Sequence, residues 1–307
     1  MNPTTQPLGG SICALATPFR GDALDLTAFA ALIDYQLAGG TQALVVAGST
    51  GEAHALDSDE YDRLLAFAVK HVDGRVPVLA GTGTANTHKT ILATRRARDL
   101  GADAALVVTP YYVRPTQEGL VRHFSEVADQ GGLPIVLYNV PSRTGCDMLP
   151  QTVARLAGHA RIIAVKEARG DSERVAALVA LQTAQFSLLS GDDPTCARAM
   201  LAGARGVISV AANVVPAPLR AACDAALARN TARTRELDAA LGPLYELLGV
   251  EPNPIPVKWC LRELGLGTGE LRLPLVSLSA QHHATVRRVL DALHLASPVQ
   301  PRHSSAA

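Results

Sequence analysis

The stretch "RIIAVKEARGDS" (residues 161–172) joins a short apolar run to charged residues at the point where that run should end. Residues 162–165 have the aliphatic, β-branched character of a buried strand. Lys166 and Glu167 follow directly. Lysine is among the residues least often fully buried, so Lys166 either marks the solvent-exposed end of the strand or lies in a site that needs an amine. The stretch by itself leaves both interpretations open.

Apolar segments of the same kind occur along most of the chain, and segments with helical periodicity separate them. Eight lie at 11–17, 42–48, 76–81, 104–110, 134–140, 161–167, 186–192 and 206–212. Continuous apolar strands alternating with helices indicate a parallel sheet covered on both faces. Eight such units close into a (β/α)₈ TIM barrel, so we predict an α/β protein of this class. A doubly wound open sheet is the alternative, but no phosphate-binding glycine loop follows the first strand.

The strand pattern ends near residue 228. Three helical segments follow, at 232–250, 254–266 and 279–295, with "EPNP" as a rigid connector between the first two. We therefore predict a barrel that carries the active site over 1–228 and a small C-terminal helical region over 229–295. The polar segment 296–307, which contains proline and serine, is predicted to be disordered.

Composition excludes several classes of protein. The 307 residues are 48% hydrophobic and 18% charged, with a formal net charge of zero, so a polyanionic partner such as nucleic acid is not expected. No uncharged apolar stretch reaches membrane-spanning length, and the nine histidines lack metal-ligand spacing. The scattered cysteines favour a reducing compartment, and we predict a cytoplasmic protein. These cysteines are Cys13, Cys146, Cys196, Cys223 and Cys260.

Active sites of such barrels lie at the carboxyl ends of the strands. The predicted strand ends carry "AGSTGE" (47–52), "GTGTAN" (81–86), "TPYY" (109–112), "YNVPSRTG" (138–145), "KE" (166–167), "SGDD" (190–193) and "SVAAN" (209–213). Hydroxyls, tyrosines, an arginine and a lysine therefore meet on one rim, where a barrel places its chemistry. Taken singly, "GSTGE" also fits a turn capped by Ser49 or Thr50, and "SGDD" a helix cap by Asp192 or Asp193.

Together these motifs resemble the dihydrodipicolinate synthase family, within the pyruvate-dependent class I lyases that include N-acetylneuraminate lyase. The resemblance covers nearly the whole chain, from "GSICALATPF" (10–19) to "VEPNPIPVKW" (250–259). Its most discriminating segment is "YNVPSRTG", whose arginine is typical of the synthases. One departure is Ser49, where the synthases usually have threonine, although the hydroxyl is retained.

The resemblance implies a synthase of lysine and diaminopimelate biosynthesis that condenses pyruvate with L-aspartate 4-semialdehyde. Pyruvate would be held as a Schiff base on a lysine, without a cofactor or a metal. The implied catalytic residues are Lys166, Tyr138, Ser49 and Tyr112, the last supplied by a neighbouring subunit. The implied substrate-binding residues are Thr50, Gly48, Arg143, Ile208 and Gly191. Glu167 has no implied chemistry and is expected to pair with a nearby charge.

Family resemblance also implies a homotetramer formed as a dimer of dimers. Two other functions stay open at this point. Another pyruvate-dependent lyase, such as N-acetylneuraminate lyase or a keto-deoxy-sugar aldolase, would keep Lys166 and Tyr138 but should not need Arg143. A non-enzymatic barrel protein is disfavoured, because the lysine, tyrosine, hydroxyl and arginine all occur together.

Regulated family members bind lysine at the tight dimer interface, beside the helix that follows "GTG". The positions matching their ligands hold Ala85, Lys89, Ser58 and Tyr61 here. A shift of one residue would offer Asn86, but residues 84–90 contain no carboxylate, and nearby His54 is not anionic near neutral pH. We therefore predict an enzyme that lysine does not inhibit.

Overall fold

The structure is a computed structural model that describes residues 7–295. Its centre is a closed barrel of parallel strands, which confirms the predicted (β/α)₈ class. Eight strands form the barrel, and two very short ones, β2 and β3, form a separate antiparallel hairpin. In chain order they are β1 (Gly10–Ala14), β2 (Phe19–Arg20), β3 (Ala23–Leu24), β4 (Ala43–Val46), β5 (Val78–Gly81), β6 (Ala104–Val108), β7 (Ile135–Asn139), β8 (Ile162–Glu167), β9 (Ser187–Ser190) and β10 (Gly206–Ser209).

Helices follow the barrel strands and cover their outer faces. Most bury one apolar stripe and expose the opposite face, as expected of helices on a barrel surface. They are α1 (Leu26–Ala38), α2 (Ser58–Val72), α3 (Thr87–Asp99), α4 (Gln117–Gln130), the short α5 (Pro141–Thr144), α6 (Pro150–Leu156), α7 (Ser172–Val179), α8 (Asp193–Ala202) and α9 (Pro216–Leu227). None of the helices in residues 7–295 is long and apolar enough to cross a membrane.

Several strands end earlier than their apolar segments do, and this frees residues for the rim. The segment predicted over 42–48 leaves the sheet after Val46, because Ala47 has a left-handed φ of 52°. Gly81, at the end of β5, lies so close that a Cβ there would be 2.0 Å from the carbonyl oxygen of Ala47. Gly81, the first glycine of "GTG", is therefore required by the close approach of Ala47. Ala47 directly precedes the "GSTGE" loop, which residues 48–52 form.

Strand register decides which side chains enter the barrel. β7 and β8 are paired so that Tyr138 lies opposite Lys166 and Asn139 opposite Glu167. Tyr138 and Ile208 belong to the apolar cluster inside the barrel, with Ala164 two residues before Lys166. Since strand side chains alternate between faces, Lys166 points inward with Tyr138, and Glu167 points outward with Asn139.

Three helices occupy the C-terminal region that was predicted to be helical. They are α10 (Thr231–Leu248), α11 (Ile255–Glu263) and α12 (His283–Ala292). α10 packs against α8 and α9, so this region lies on the barrel. The boundary at residue 228 stays a prediction, and the tail predicted over 296–307 lies outside the described residues.

Candidate active site

Lys166 is a buried residue at the carboxyl end of β8. Only 5% of it is exposed, and its Nζ lies 4.2 Å from the centroid of the Tyr138 ring. An ammonium over the face of a tyrosine gains some electrostatic stabilisation. Within residues 7–295 no carboxylate forms an ion pair with it. Lys166 is therefore not the solvated end of a strand, and its amine is held inside the barrel.

Gly191 makes room for this lysine. A Cβ at position 191 would lie 2.9 Å from both Cγ and Cε of Lys166, so any larger residue would displace the side chain. The Gly191 amide also donates to the carbonyl of Glu167, at 2.7 Å, which fixes the turn against β8. Ile208 is buried in the same interior cluster as Tyr138. Of the implied binding positions, Gly191 therefore lies against Lys166, and Ile208 lies in the barrel interior with Tyr138.

Asp193 is an acidic residue of this neighbourhood that sequence reasoning did not assign to the site. It does not cap α8, which has no side-chain cap, and neither does Asp192, which instead accepts from the Thr195 hydroxyl. One Asp193 oxygen, Oδ2, accepts from the amides of Val210 and Ala211 at 3.0 and 2.8 Å. Burial raises the pKa of Asp193; hydrogen bonds from Ser209 and from these two amides oppose that rise, and the positive charge of Lys166 adds a smaller opposing effect. The "SGDD" motif therefore places a carboxyl near the lysine.

Glu167 belongs to a separate buried network outside the barrel strands. Its Oε2 pairs with Nη1 of Arg174 at 3.0 Å, and both carboxylate oxygens accept from Asn139. Arg174 also binds Asp147, at 2.7 Å. Burial raises the pKa of Glu167, while its hydrogen bonds and Arg174 act in the opposite direction. The expected pairing with a nearby charge is confirmed, and it fastens β7, β8 and α7 together.

The "GSTGE" loop is fixed from the C-terminal region. Thr50 is buried and caps no helix; its Oγ1 accepts a hydrogen bond from Nδ2 of Asn253, at 3.0 Å. Glu52 is fully buried and forms an ion pair with Lys258 of α11. Ser49 does not cap a helix either, since α2 is capped by Asp57. Two motifs about 200 residues apart therefore contact each other.

A cavity of about 780 Å³ opens beside this loop. Of the nine predicted site residues, its lining includes Gly48, Ser49, Tyr138 and Arg143. Arg143 is a residue of α5, and its Nη2 donates to the main-chain oxygen of Asn253 at 2.8 Å. Polar groups of the loop and the tyrosine thus share a cavity with a guanidinium. Such a set suits an acidic small molecule.

Tyr112 lies apart from the other predicted residues. It is 90% exposed, and its φ of 70° is rare for a residue with a side chain. Its amide donates to the carbonyl of Thr144, so the backbone of the loop is tied to α5. Within one chain, Tyr112 is therefore directed to solvent.

A model of the dihydrodipicolinate synthetase family matches residues 7–293. The chain belongs to this family. It is 59% identical to the 4-hydroxy-tetrahydrodipicolinate synthase of Stenotrophomonas maltophilia (strain R551-3), over 277 residues that are 90% of this chain and 93% of that protein. It is also 59% identical to the enzyme of that name from Xanthomonas axonopodis pv. citri (strain 306), over 94% of this chain and 96% of that one.

A solved structure of the same family has a very similar fold. It is the chloride-inhibited dihydrodipicolinate synthase from Acinetobacter baumannii, complexed with pyruvate, with a TM-score of 0.91 and 40% identity. The match covers 94% of this chain and 99% of that one. The synthase resemblance inferred from the motifs is therefore confirmed over almost the full length.

Proposed function

We propose that this protein catalyses the 4-hydroxy-tetrahydrodipicolinate synthase reaction, in which pyruvate condenses with L-aspartate 4-semialdehyde, and that Lys166 is the nucleophile. Its curated relatives bear the name of that synthase, and a solved relative is a complex with pyruvate. The observation that carries the assignment of the nucleophile is the position of Lys166. Its amine is buried at the carboxyl end of β8, over the Tyr138 ring, and no carboxylate in residues 7–295 forms an ion pair with it.

The chemistry follows from an amine in this position. The neutral Lys166 amine attacks the keto carbon of pyruvate, and loss of water gives an imine. The protonated imine withdraws electrons, so the pyruvate methyl loses a proton and an enamine forms. The enamine carbon then attacks the aldehyde carbon of the semialdehyde, whose oxygen takes up a proton. Finally the substrate amine attacks the imine carbon, which closes the ring and releases Lys166. No separate cofactor is needed, because the imine accepts the electrons.

Tyr138 is the proposed acid and base for these proton transfers. Its ring lies under the Lys166 amine, and it shares a cavity wall with Ser49, so a chain of hydroxyls can pass protons between lysine and substrate. Gly48 and Thr50 are proposed to bind the carboxylate of pyruvate. Arg143 is proposed to bind that of the semialdehyde, because a guanidinium can make two parallel hydrogen bonds to it.

A homo-oligomer is part of the proposal. Tyr112 is too exposed to act within its own chain, so we propose that it completes the proton relay of a second subunit, in a tetramer formed as a pair of dimers. Sedimentation at assay concentration should then show dimers or tetramers. A fully active monomer would contradict this role of Tyr112.

The proposed setting is the cytoplasm, with no nucleic-acid or membrane partner. The five cysteines are all buried as free thiols. Unpaired thiols are typical of reducing compartments, which supports this location.

Borohydride reduction in the presence of pyruvate tests the mechanism. The reagent reduces an imine to a stable amine, so the intact mass should rise by one pyruvate-derived adduct per chain. Peptide mapping should locate it on Lys166, and the peptide that contains buried Lys258 serves as the internal control. No adduct, or an adduct on a different lysine, would overturn the proposal.

A further inference from the structure

Asn253 connects two residues that are proposed to bind different substrates. It lies in the "EPNP" segment between α10 and α11 and lines the cavity. Its side-chain Nδ2 donates to Thr50 Oγ1 at 3.0 Å. Its main-chain oxygen accepts from Nη2 of Arg143 at 2.8 Å. One residue of the C-terminal region therefore contacts both proposed carboxylate-binding groups.

We infer that Asn253 is a positioning residue, which directs the Thr50 hydroxyl toward the carboxylate of pyruvate and supports the Arg143 guanidinium. This role rests on the proposed function. A hydroxyl has one proton to donate and two lone pairs. Because the amide of Asn253 donates to the Thr50 oxygen, the hydroxyl proton stays available for a substrate carboxylate. An acceptor in place of that amide would take the proton.

The surroundings of Asn253 favour a functional reason for its side chain. Its Oδ1 is buried and has no hydrogen-bond partner among residues 7–295. Burying an unpaired amide oxygen costs stability, so the side chain is not optimised for folding. Its contact with Thr50 is the hydrogen bond that the amide does make.

The segment is also held firmly enough to position a partner. Lys258, five residues further along, forms a buried ion pair with Glu52, two residues after Thr50. The other oxygen of Glu52 accepts from the amide of Arg272. The chain that follows Asn253 is therefore fixed to the end of the "GSTGE" loop through Glu52.

Replacement of Asn253 should affect the binding of the two substrates differently. Asn253→Ala removes the contact to Thr50 but keeps the main-chain oxygen that holds Arg143. We expect the half-saturating pyruvate concentration, measured by borohydride trapping, to rise about 10-fold, the typical effect of one lost hydrogen bond. The KM for the semialdehyde should change less than the value for pyruvate. The isosteric Asn253→Asp can only accept, so it should weaken pyruvate binding further than alanine does.

A double-mutant cycle distinguishes positioning from general damage. Thr50→Val removes the hydroxyl that Asn253 is proposed to direct. Asn253→Ala should then have no further effect on pyruvate saturation when added to Thr50→Val. If the two effects multiply, or if both Asn253 variants bind pyruvate as the unchanged protein does, the inference is wrong. Failure of the proposed function has a different signature, since the unchanged protein itself would form no adduct on Lys166.

Discussion

The barrel interior and the C-terminal helical region each contain a buried lysine, and their surroundings differ in one respect. Lys166 is 5% exposed and Lys258 is 3% exposed. Each Nζ lies over an aromatic ring, at 4.2 Å from the Tyr138 centroid and at 4.3 Å from that of Phe19. Lys258 is paired with Glu52, whereas Lys166 has no carboxylate partner within residues 7–295. Burial alone therefore does not distinguish the two lysines; a direct ion pair with a carboxylate does.

The pKa of Lys258 could by itself suggest a nucleophile. Burial lowers the pKa of Lys258, although Glu52 acts against that change. A lowered pKa is often used to identify a nucleophilic lysine. Here it accompanies an amine that is already engaged by a carboxylate and lies in α11. Position on the barrel rim and the lack of a direct ion pair are the better criteria, because a bound carboxylate favours the ammonium form, which has no lone pair.

Replacing Lys166 by alanine should abolish the chemistry, whereas replacing Lys258 by alanine should leave it possible. Lys166→Ala should abolish the pyruvate adduct and lower kcat by roughly 10³- to 10⁶-fold, the scale of losing a covalent nucleophile. Lys258→Ala should still form the adduct on Lys166. The measurements are steady-state rates with both substrates and intact mass after reduction. A folded Lys258→Ala protein that cannot be trapped would break the comparison.

The effect of Lys258→Ala should instead be on the stability of the folded protein. Lys258→Ala leaves Glu52 buried without its cation, which costs about 3–5 kcal/mol in the free energy of unfolding. Urea denaturation followed by circular dichroism measures this loss. The matched control is Lys258→Met combined with Glu52→Gln, which removes both charges and should cost much less. Equal losses in the single and double variants would show that packing, not charge, holds α11 against the loop.

Arg143 extends the comparison to a guanidinium. Like Lys166 it has no carboxylate partner within residues 7–295, and it is anchored by a main-chain oxygen. Arg143→Ala should leave pyruvate trapping intact but lower kcat/KM for the semialdehyde about 30- to 1,000-fold, the effect of losing a charged two-pronged contact. Arg143→Lys, which keeps the charge without the fork, should lie between. Unchanged use of the semialdehyde would remove the best evidence for this substrate.

The smallest expected effect is that of added free lysine, which should not change the rate. Lys89 is part of the reason. It is exposed at the start of α3, where the Asn86 side chain is occupied by the Lys89 amide at 3.0 Å. The acidic residue in the cavity lining, Asp57, is engaged as the cap of α2. Added lysine would therefore meet the like charge of Lys89, and the carboxylate in the cavity lining is already engaged. Initial rates should be unchanged up to millimolar lysine, and inhibition below that range would contradict the prediction.

Sequence reasoning predicted much of the barrel and of its rim, for local reasons. The alternation of continuous apolar strands with helical segments is visible along the chain, and it specifies a parallel sheet covered on both faces. The motifs at the strand ends pointed to Lys166 and Tyr138, which lie together, and to Arg143, which lines a cavity with Tyr138. Strand ends were less accurate, because the φ of Ala47 that ends β4 depends on the close approach of Gly81.

What the sequence determined by itself is the order of elements, the barrel class and the residue types on its rim, since each depends on a pattern within a few residues. Only the tertiary structure decided which charges pair. Glu52 meets Lys258 and Thr50 meets Asn253 across more than 200 positions. It also decided which of the neighbours Lys166 and Glu167 faces the barrel interior, and that Glu167 is the one in an ion pair. Such choices depend on strand register and on packing between distant segments, which no local pattern encodes.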